Sequence, residues 1–234
     1  PEDVAEKAKL MVVSYPNNPT TAMAPDSFYE ELIAFASRHD IIVLHDNAYS
    51  DLVFDGRTCG SFLGFPGAKE VGVEFNSLSK TYGLAGARIG FCLGNEAVVS
   101  RIKLLKSNMD YGMFLPIQKA AIAAITGDQS CVASTRAAYE RRRDCLCDGL
   151  ASIGWKMEKP EGTMFVWAPI PAGFSDSMEF VKTLFEKTGV LVTPGSAFGP
   201  SGEGHVRMAL VQDEDAIALA VQRIDASGIL KSEQ

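Results

Sequence analysis

The sequence predicts an α/β fold, a mainly parallel sheet flanked by helices and followed by a smaller α+β domain. Three observations predict it. Residues 10–14 and 41–44 are short apolar runs rich in β-branched side chains, and they begin about 31 residues apart with a helical pattern between them, the spacing of a βαβ crossover. Residues 71–75 and 89–93 supply two more such runs, so a mainly buried sheet is expected. From Asn95 the pattern turns helical, and beyond Gly154 short strands alternate with helices.

Taken in order, residues 10–14 read as a buried strand that ends in a loop at Pro16. Pro25-Asp26-Ser27 then opens a helix, with Ser27 and Glu30 spaced as a capping box. Phe28, Leu32, Phe35 and Ala36 recur at helical spacing and give that helix a buried stripe. Residues 41–44 form the second strand, parallel to the first. Helices follow at 96–106, 116–126 and 129–152. The last carries Arg136 and Glu140 at i,i+4 and the run Arg141-Arg142-Arg143, which reads as a solvated helix face in preference to a phosphate patch. Strands at 155–157, 164–168, 190–193 and 205–210 then alternate with helices at 177–187 and 214–227. The expected division is 1–128 for the larger part, 129–152 for a connecting helix and 153–234 for the small α+β domain.

Composition narrows the functional classes. Of the 234 residues 47% are hydrophobic, too many for an intrinsically disordered chain. The formal net charge of −7 argues against a protein that grips nucleic-acid phosphates, and no apolar run approaches the roughly 18 residues of a membrane span. Neither nucleic acid nor membrane is an expected partner. Cys59, Cys92, Cys131, Cys145 and Cys147 are odd in number and contain no Cys-x-x-Cys pair, so they read as reduced thiols of a cytoplasmic protein. His39, His45 and His205 lack metal-ligand spacing, and no metal site is expected. The chain opens at Pro1 with neither an initiator Met nor a signal-peptide pattern, and it reads as a fragment.

Four polar clusters follow proposed strands, at the edge where parallel α/β sheets bind ligands. The first, Tyr15-Pro16-Asn17-Asn18-Pro19-Thr20, would pass for a proline-rich turn if it stood alone. In the second, His45-Asp46-Asn47-Ala48-Tyr49, Asp46 fits a helix N-cap as well as a ligand. The third carries the strongest signal. It runs from Ser77 through Ser79 and Lys80 to Arg88 and Gly90, with Lys80 among small residues. A lysine amine that loses its proton attacks a carbonyl to form a Schiff base, and hydroxyls with a guanidinium suit a phosphate. In the fourth, Arg207 alternates with Val206, Met208 and Leu210 and so leaves the opposite strand face, either exposed or as a clamp for a carboxylate.

The segment from Ser77 to Gly90 resembles the lysine signature of class I/II pyridoxal-phosphate aminotransferases. Asn18-Pro19-Thr20, Asp46 with Tyr49, Lys80, Arg88 and Arg207 follow in that family's order, and Pro194-Gly195-Ser196-Ala197-Phe198-Gly199 is similar to its small domain. The wording is most similar to the bacterial branch of LL-diaminopimelate and aspartate-type aminotransferases. The resemblance spans essentially the whole chain. It implies a fold type I large domain, incomplete at its N-terminus, over 1–128, and a small C-terminal domain.

The resemblance also implies roles. Lys80 would hold pyridoxal 5'-phosphate as a Schiff base and then act as general base at the substrate Cα. Asp46 would keep the pyridine nitrogen protonated, and Asn18 and Tyr49 would hydrogen-bond the ring oxygen. Ser77, Ser79 and Arg88 would bind the phosphate. Arg207, with Asn18, would take the substrate α-carboxylate, and His45 is expected to be structural. The implied reaction moves an amino group from an L-amino acid to an oxo acid such as 2-oxoglutarate, in a cytoplasmic homodimer. A carbon–sulfur or β-eliminating lyase on the same scaffold is the alternative, and the sensor domain of a transcription regulator is a weaker one.

The sequence departs from the family in two places. Thr21 stands where the loop usually has glycine, from which a different backbone conformation is expected there. The family's chains also extend further at the N-terminus. That part supplies a phosphate cup, a stacking aromatic and residues shared across a dimer, so this chain alone is expected to bind the cofactor weakly. No arginine for a distal carboxylate occurs in residues 107–112, which leaves aspartate, diaminopimelate, alanine and aromatic donors open.

Overall fold

The computed structural model describes residues 1–230. It separates into two compact units, the first formed by Pro1–Pro16 and Met23–Thr135, the second by Asn17–Ala22 and the chain from Arg136 onward.

Unit 1 contains α1 (Glu2–Ala5), β1 (Leu10–Ser14), α2 (Asp26–His39), β2 (Ile42–Asp46), α3 (Ala68–Val71), β3 (Gly72–Ser77), α4 (Leu78–Thr81), β4 (Gly90–Gly94), α5 (Glu96–Met109) and α6 (Leu115–Thr126). Its sheet runs β1-β2-β3-β4, parallel from β1 to β3 and antiparallel between β3 and β4. Ser14 pairs with Asp46, and His45 with Glu74, so the C-terminal ends of the parallel strands share one edge.

The expected buried sheet needs correction. Val43 and Val73 of β2 and β3 are buried, but Leu10 and Val12 of β1 and Phe91 and Leu93 of β4 are exposed. β1 and β4 are the outer strands, and one face of each lacks a covering element among the described residues. The capping box also fails to form. α2 starts at Asp26 behind Pro25, one residue before Ser27, and no side chain caps it. Its buried stripe accordingly shifts to Tyr29, Leu32, Ile33 and Ala36, which pack with Ile41, Val43 and Phe62. Phe28 and Phe35 sit at the margin of that core, only partly buried.

α7 (Ser130–Ser152) begins in unit 1 and continues into unit 2, which adds β5 (Phe165–Pro169), α8 (Ser177–Thr188), β6 (Thr193–Pro194), β7 (His205–Ala209) and α9 (Glu214–Ala226). The strands form an antiparallel sheet in the order β5-β7-β6. Val166, Val206, Met208 and Leu210 pack beneath it with Leu150, Phe180 and Leu184. Residues 155–157 are not a strand. Trp155 is buried and its Nε1 donates to the Pro169 carbonyl at 2.8 Å, so the segment is anchored by a side chain and not by a ladder. The strand expected at 190–193 shortens to the two residues of β6. A Cβ on Gly195 would collide with the carbonyl oxygen of Gly202, which explains the glycine at that turn.

The run Arg141-Arg142-Arg143 of α7 does not form one solvated face, because successive helical residues point about 100° apart. Arg141 pairs at the surface with Glu214 at 3.0 Å, and Arg142 Nη1 donates to the Leu210 carbonyl at 3.2 Å. Arg143 is buried, its Nη1 donating to the Pro160 carbonyl at 3.1 Å and its Nη2 lying 2.9 Å from Asp144.

Candidate active site

Unit 1 gathers six of the residues singled out in the sequence. β2 ends at Asp46, where Oδ1 accepts the Ala48 amide at 3.2 Å; this closes an Asx turn, and no helix begins there. The turn carries the chain to Tyr49, which is buried, and Lys80 Nζ lies 6.0 Å from the centre of its ring. Lys80 sits on α4, directly after β3. Ser77 caps that turn by accepting the Ser79 amide at 3.1 Å. Thr81 Oγ1 donates to Asp51 at 2.8 Å, which ties α4 to the segment that follows Asp46. Arg88 is exposed in a left-handed conformation, φ +53°, and Nη1 donates to the Ala85 carbonyl at 3.1 Å.

Unit 2 holds the other two. Arg207 on β7 lies opposite Trp167 on β5 and Thr193 on β6. Its guanidinium carbon is 4.2 Å from the centre of the Phe165 ring and 4.7 Å from that of Phe198, and its Nη1 donates to Asn18 Oδ1 at 2.8 Å. Trp167 stacks on His205 with centroids 5.2 Å apart and the planes 5° from parallel. The loop bearing Asn18 is closed by Asn17, whose Oδ1 accepts the Thr20 amide at 3.0 Å and the Thr20 hydroxyl at 2.6 Å. The φ of Thr21 is +61°, the left-handed conformation that suits glycine, with a β-branched side chain in it. The Asn17 carbonyl accepts the Thr21 amide at 2.9 Å, and the loop closure holds that geometry.

The sequence reading missed Glu74. This buried carboxylate receives Ser61 Oγ and the Phe62 amide, each at 2.9 Å, on Oε2, and Asn76 Nδ2 at 2.8 Å on Oε1. His45 Nδ1 lies 3.2 Å from Oε2, and His45 Nε2 lies 3.3 Å from the Tyr29 hydroxyl. Burial alone would raise the Glu74 carboxyl, but hydrogen bonds from His45, Asn76, Asn47 and Ser61 outweigh it and lower it to about 2. Burial pushes the Tyr29 phenol up, so it keeps its proton beside His45 Nε2. Phe165 and Phe198, which sandwich Arg207, were likewise not assigned to the site.

Residues 1–224 match the family described as Aminotransferase class I and II. The chain belongs to that family. Among its relatives, an LL-diaminopimelate aminotransferase of Moorella thermoacetica is 46% identical over 96% of this chain and 57% of its own length. The glutamate-pyruvate aminotransferase AlaC of Escherichia coli is also 46% identical, over 94% of this chain and 54% of its own length. The structure of BacF from Bacillus subtilis superposes with a TM-score of 0.93 at 42% identity, covering 97% of this chain and 57% of that one. The chain therefore spans somewhat over half the length of these relatives.

Class I and II aminotransferases depend on pyridoxal phosphate, and the donor set of unit 1 fits it. A primary amine (Lys80) suits the aldehyde, a carboxylate (Asp46) a protonated ring nitrogen, and a phenol (Tyr49) the ring oxygen. Two hydroxyls (Ser77 and Ser79) and a guanidinium (Arg88) suit a phosphate dianion. Among the described residues no helix is long and apolar enough to cross a membrane.

Proposed function

We propose that this chain carries the active-site residues of a pyridoxal-phosphate-dependent aminotransferase that moves the amino group of an L-amino acid to an oxo acid such as 2-oxoglutarate. The observation that carries this reading is the set Asp46, Tyr49, Ser77, Ser79, Lys80 and Arg88 in one unit, at or just beyond the ends of β2 and β3. Similarity to proteins named LL-diaminopimelate aminotransferase supports LL-diaminopimelate as the amino donor. The reading includes a full-length homodimer in the cytoplasm.

When bound, pyridoxal phosphate supplies an electron sink that makes the substrate Cα–H acidic. Lys80 would hold the cofactor at its aldehyde carbon through Nζ, and as a free amine Nζ would take the proton from the substrate Cα. Asp46 accepts the N–H of the ring nitrogen and keeps it protonated. Tyr49 donates its phenolic proton to the ring oxygen, and Ser77, Ser79 and Arg88 hold the phosphate. In unit 2, Arg207 takes the substrate α-carboxylate through its N–H fork, and Asn18 orients that fork.

Borohydride reduction of the cofactor-loaded full-length protein, followed by peptide mass mapping, tests the assignment. A phosphopyridoxyl group on Lys80, absent from Lys80→Ala, is expected, and an adduct on another lysine would overturn it. Asp46→Asn is expected to retain the adduct while turnover falls by orders of magnitude. Incubation with LL-diaminopimelate and an oxo acid, and separately with an S-substituted cysteine alone, distinguishes transfer from elimination: transfer needs the oxo acid, whereas a carbon–sulfur lyase releases thiol, ammonia and pyruvate from the cysteine without it.

A further inference from the structure

Asp46 is preceded by a residue whose side chain leaves the sheet on its other face. Neighbours alternate along an extended strand, so His45 turns toward α2 while Asp46 turns away from it. His45 and Asn47 are 0% and 3% exposed, and Glu74, which pairs with His45 across the β2–β3 ladder, is 3% exposed. A carboxylate in such a place is costly to bury unless its oxygens are satisfied. Here they are satisfied by a set with a definite geography. Ser61 and Phe62 hold it from the loop between β2 and β3, Asn76 from its own strand, and His45 from the position just before Asp46.

The His45 ring is fixed at both ends. Ionised Glu74 accepts from Nδ1–H, and the Tyr29 hydroxyl lies 3.3 Å from Nε2. Asn47 is pinned by its backbone, the amide donating to the Phe75 carbonyl at 2.9 Å. Residue 46 therefore stands between two residues that are each anchored to β3, and none of the roles assigned above uses Glu74.

Building on the assignment of Asp46 to the ring nitrogen, we propose that Glu74 is the positioning residue of Asp46. It grips His45 from behind the sheet and so fixes where the Asp46 carboxylate meets that nitrogen. A strand end freed from this grip would let the carboxylate drift, and the charge-assisted hydrogen bond that keeps the nitrogen protonated would lengthen.

The test is nitrogen-15 NMR of full-length protein loaded with pyridoxal phosphate labelled at the ring nitrogen. The wild type is expected to show the protonated-nitrogen shift, and Asp46→Asn the neutral one. Glu74→Gln is expected to move the shift of its loaded fraction toward that of Asp46→Asn, with kcat falling at least tenfold and KM changing less than twofold. A merely structural Glu74 would lower the loaded fraction and leave its shift at the wild-type value, which would overturn the proposal. His45→Leu, which removes that contact and keeps the buried carboxylate, carries the same expectation if Glu74→Gln does not fold. A neutral nitrogen in the wild type, or an unchanged shift in Asp46→Asn, would instead defeat the assignment of Asp46 itself.

Discussion

Arg207 is fixed by its neighbours in unit 2. Two phenyl faces and the Asn18 amide oxygen hold its guanidinium, so little side-chain freedom remains to be lost when a carboxylate arrives. Arg207→Lys keeps the charge but loses the planar fork and its stacking. Affinity for carboxylate substrates, read from the KM of the full-length enzyme, is expected to fall by roughly 2 kcal/mol, about thirtyfold. Thr21 is strained where Arg207 is relaxed, and Thr21→Gly is expected to raise unfolding free energy by about 1 kcal/mol in urea titrations. Glu74 has a folded pKa of about 2 against an ordinary 4.5, so it binds a proton more weakly folded than unfolded. Its contribution, at most about 3 kcal/mol, is fully present above pH 4.5 and is lost as pH falls toward 2. The stability gap between wild type and Glu74→Gln is therefore expected to close across that interval. The proposed roles of Lys80, Asp46 and Arg207 can be read in the sequence because each residue follows or occupies a strand within a recognisable run. That of Glu74 cannot, because His45 and Ser61 lie 29 and 13 residues away and meet it only in the fold.

The apolar runs located most elements, since a strand or helix that packs must show its period. They did not fix the phase of α2. Phe28 and Phe35 share the helical spacing with Tyr29 and Ile33, and only packing on Phe62 and Val43 selects the second pair. Caps were less legible still, because Ser, Asp and Glu fit several frames. Ser27 caps nothing, whereas Asp176 accepts the Glu179 amide at 2.8 Å and Glu179 accepts the Ser175 amide at 2.8 Å at the start of α8. Asp176→Ala is expected to cost about 1 kcal/mol, and Ser27→Ala to stay within about 0.5 kcal/mol of wild type. Chemical denaturation of the two variants side by side checks the contrast, and equal losses would refute it. Residues 155–157 misled for a different reason. A buried tryptophan hydrogen-bonded through its indole satisfies the same apolar pattern as a strand.

The two units bury their apolar side chains differently. In unit 2, Leu150, Val166, Phe180, Leu184, Val206 and Leu210 are all 0% exposed, packed between a three-stranded sheet and α7, α8 and α9. Apart from Asn17–Ala22, every part of that unit comes from one continuous stretch of chain. In unit 1 the outer strands present Leu10, Val12, Phe91 and Leu93 to solvent, and α5 buries none of its residues. Local stability follows buried apolar contact, because amides open where few side chains must leave a core. Hydrogen exchange of this chain is expected to be slowest in β5, β7 and α8 and fastest in α5 and β4. Leu184→Ala, which empties a fully buried site, is expected to cost 2–5 kcal/mol and to speed exchange across unit 2. The segment from residue 136 to 234, expressed by itself, is expected to unfold cooperatively, since it holds a domain-sized core and lacks only the short loop that bonds Arg207. Exchange as fast in β7 as in α5, or a gradual melt of that segment, would show that burial within unit 2 does not make it an autonomous folding unit.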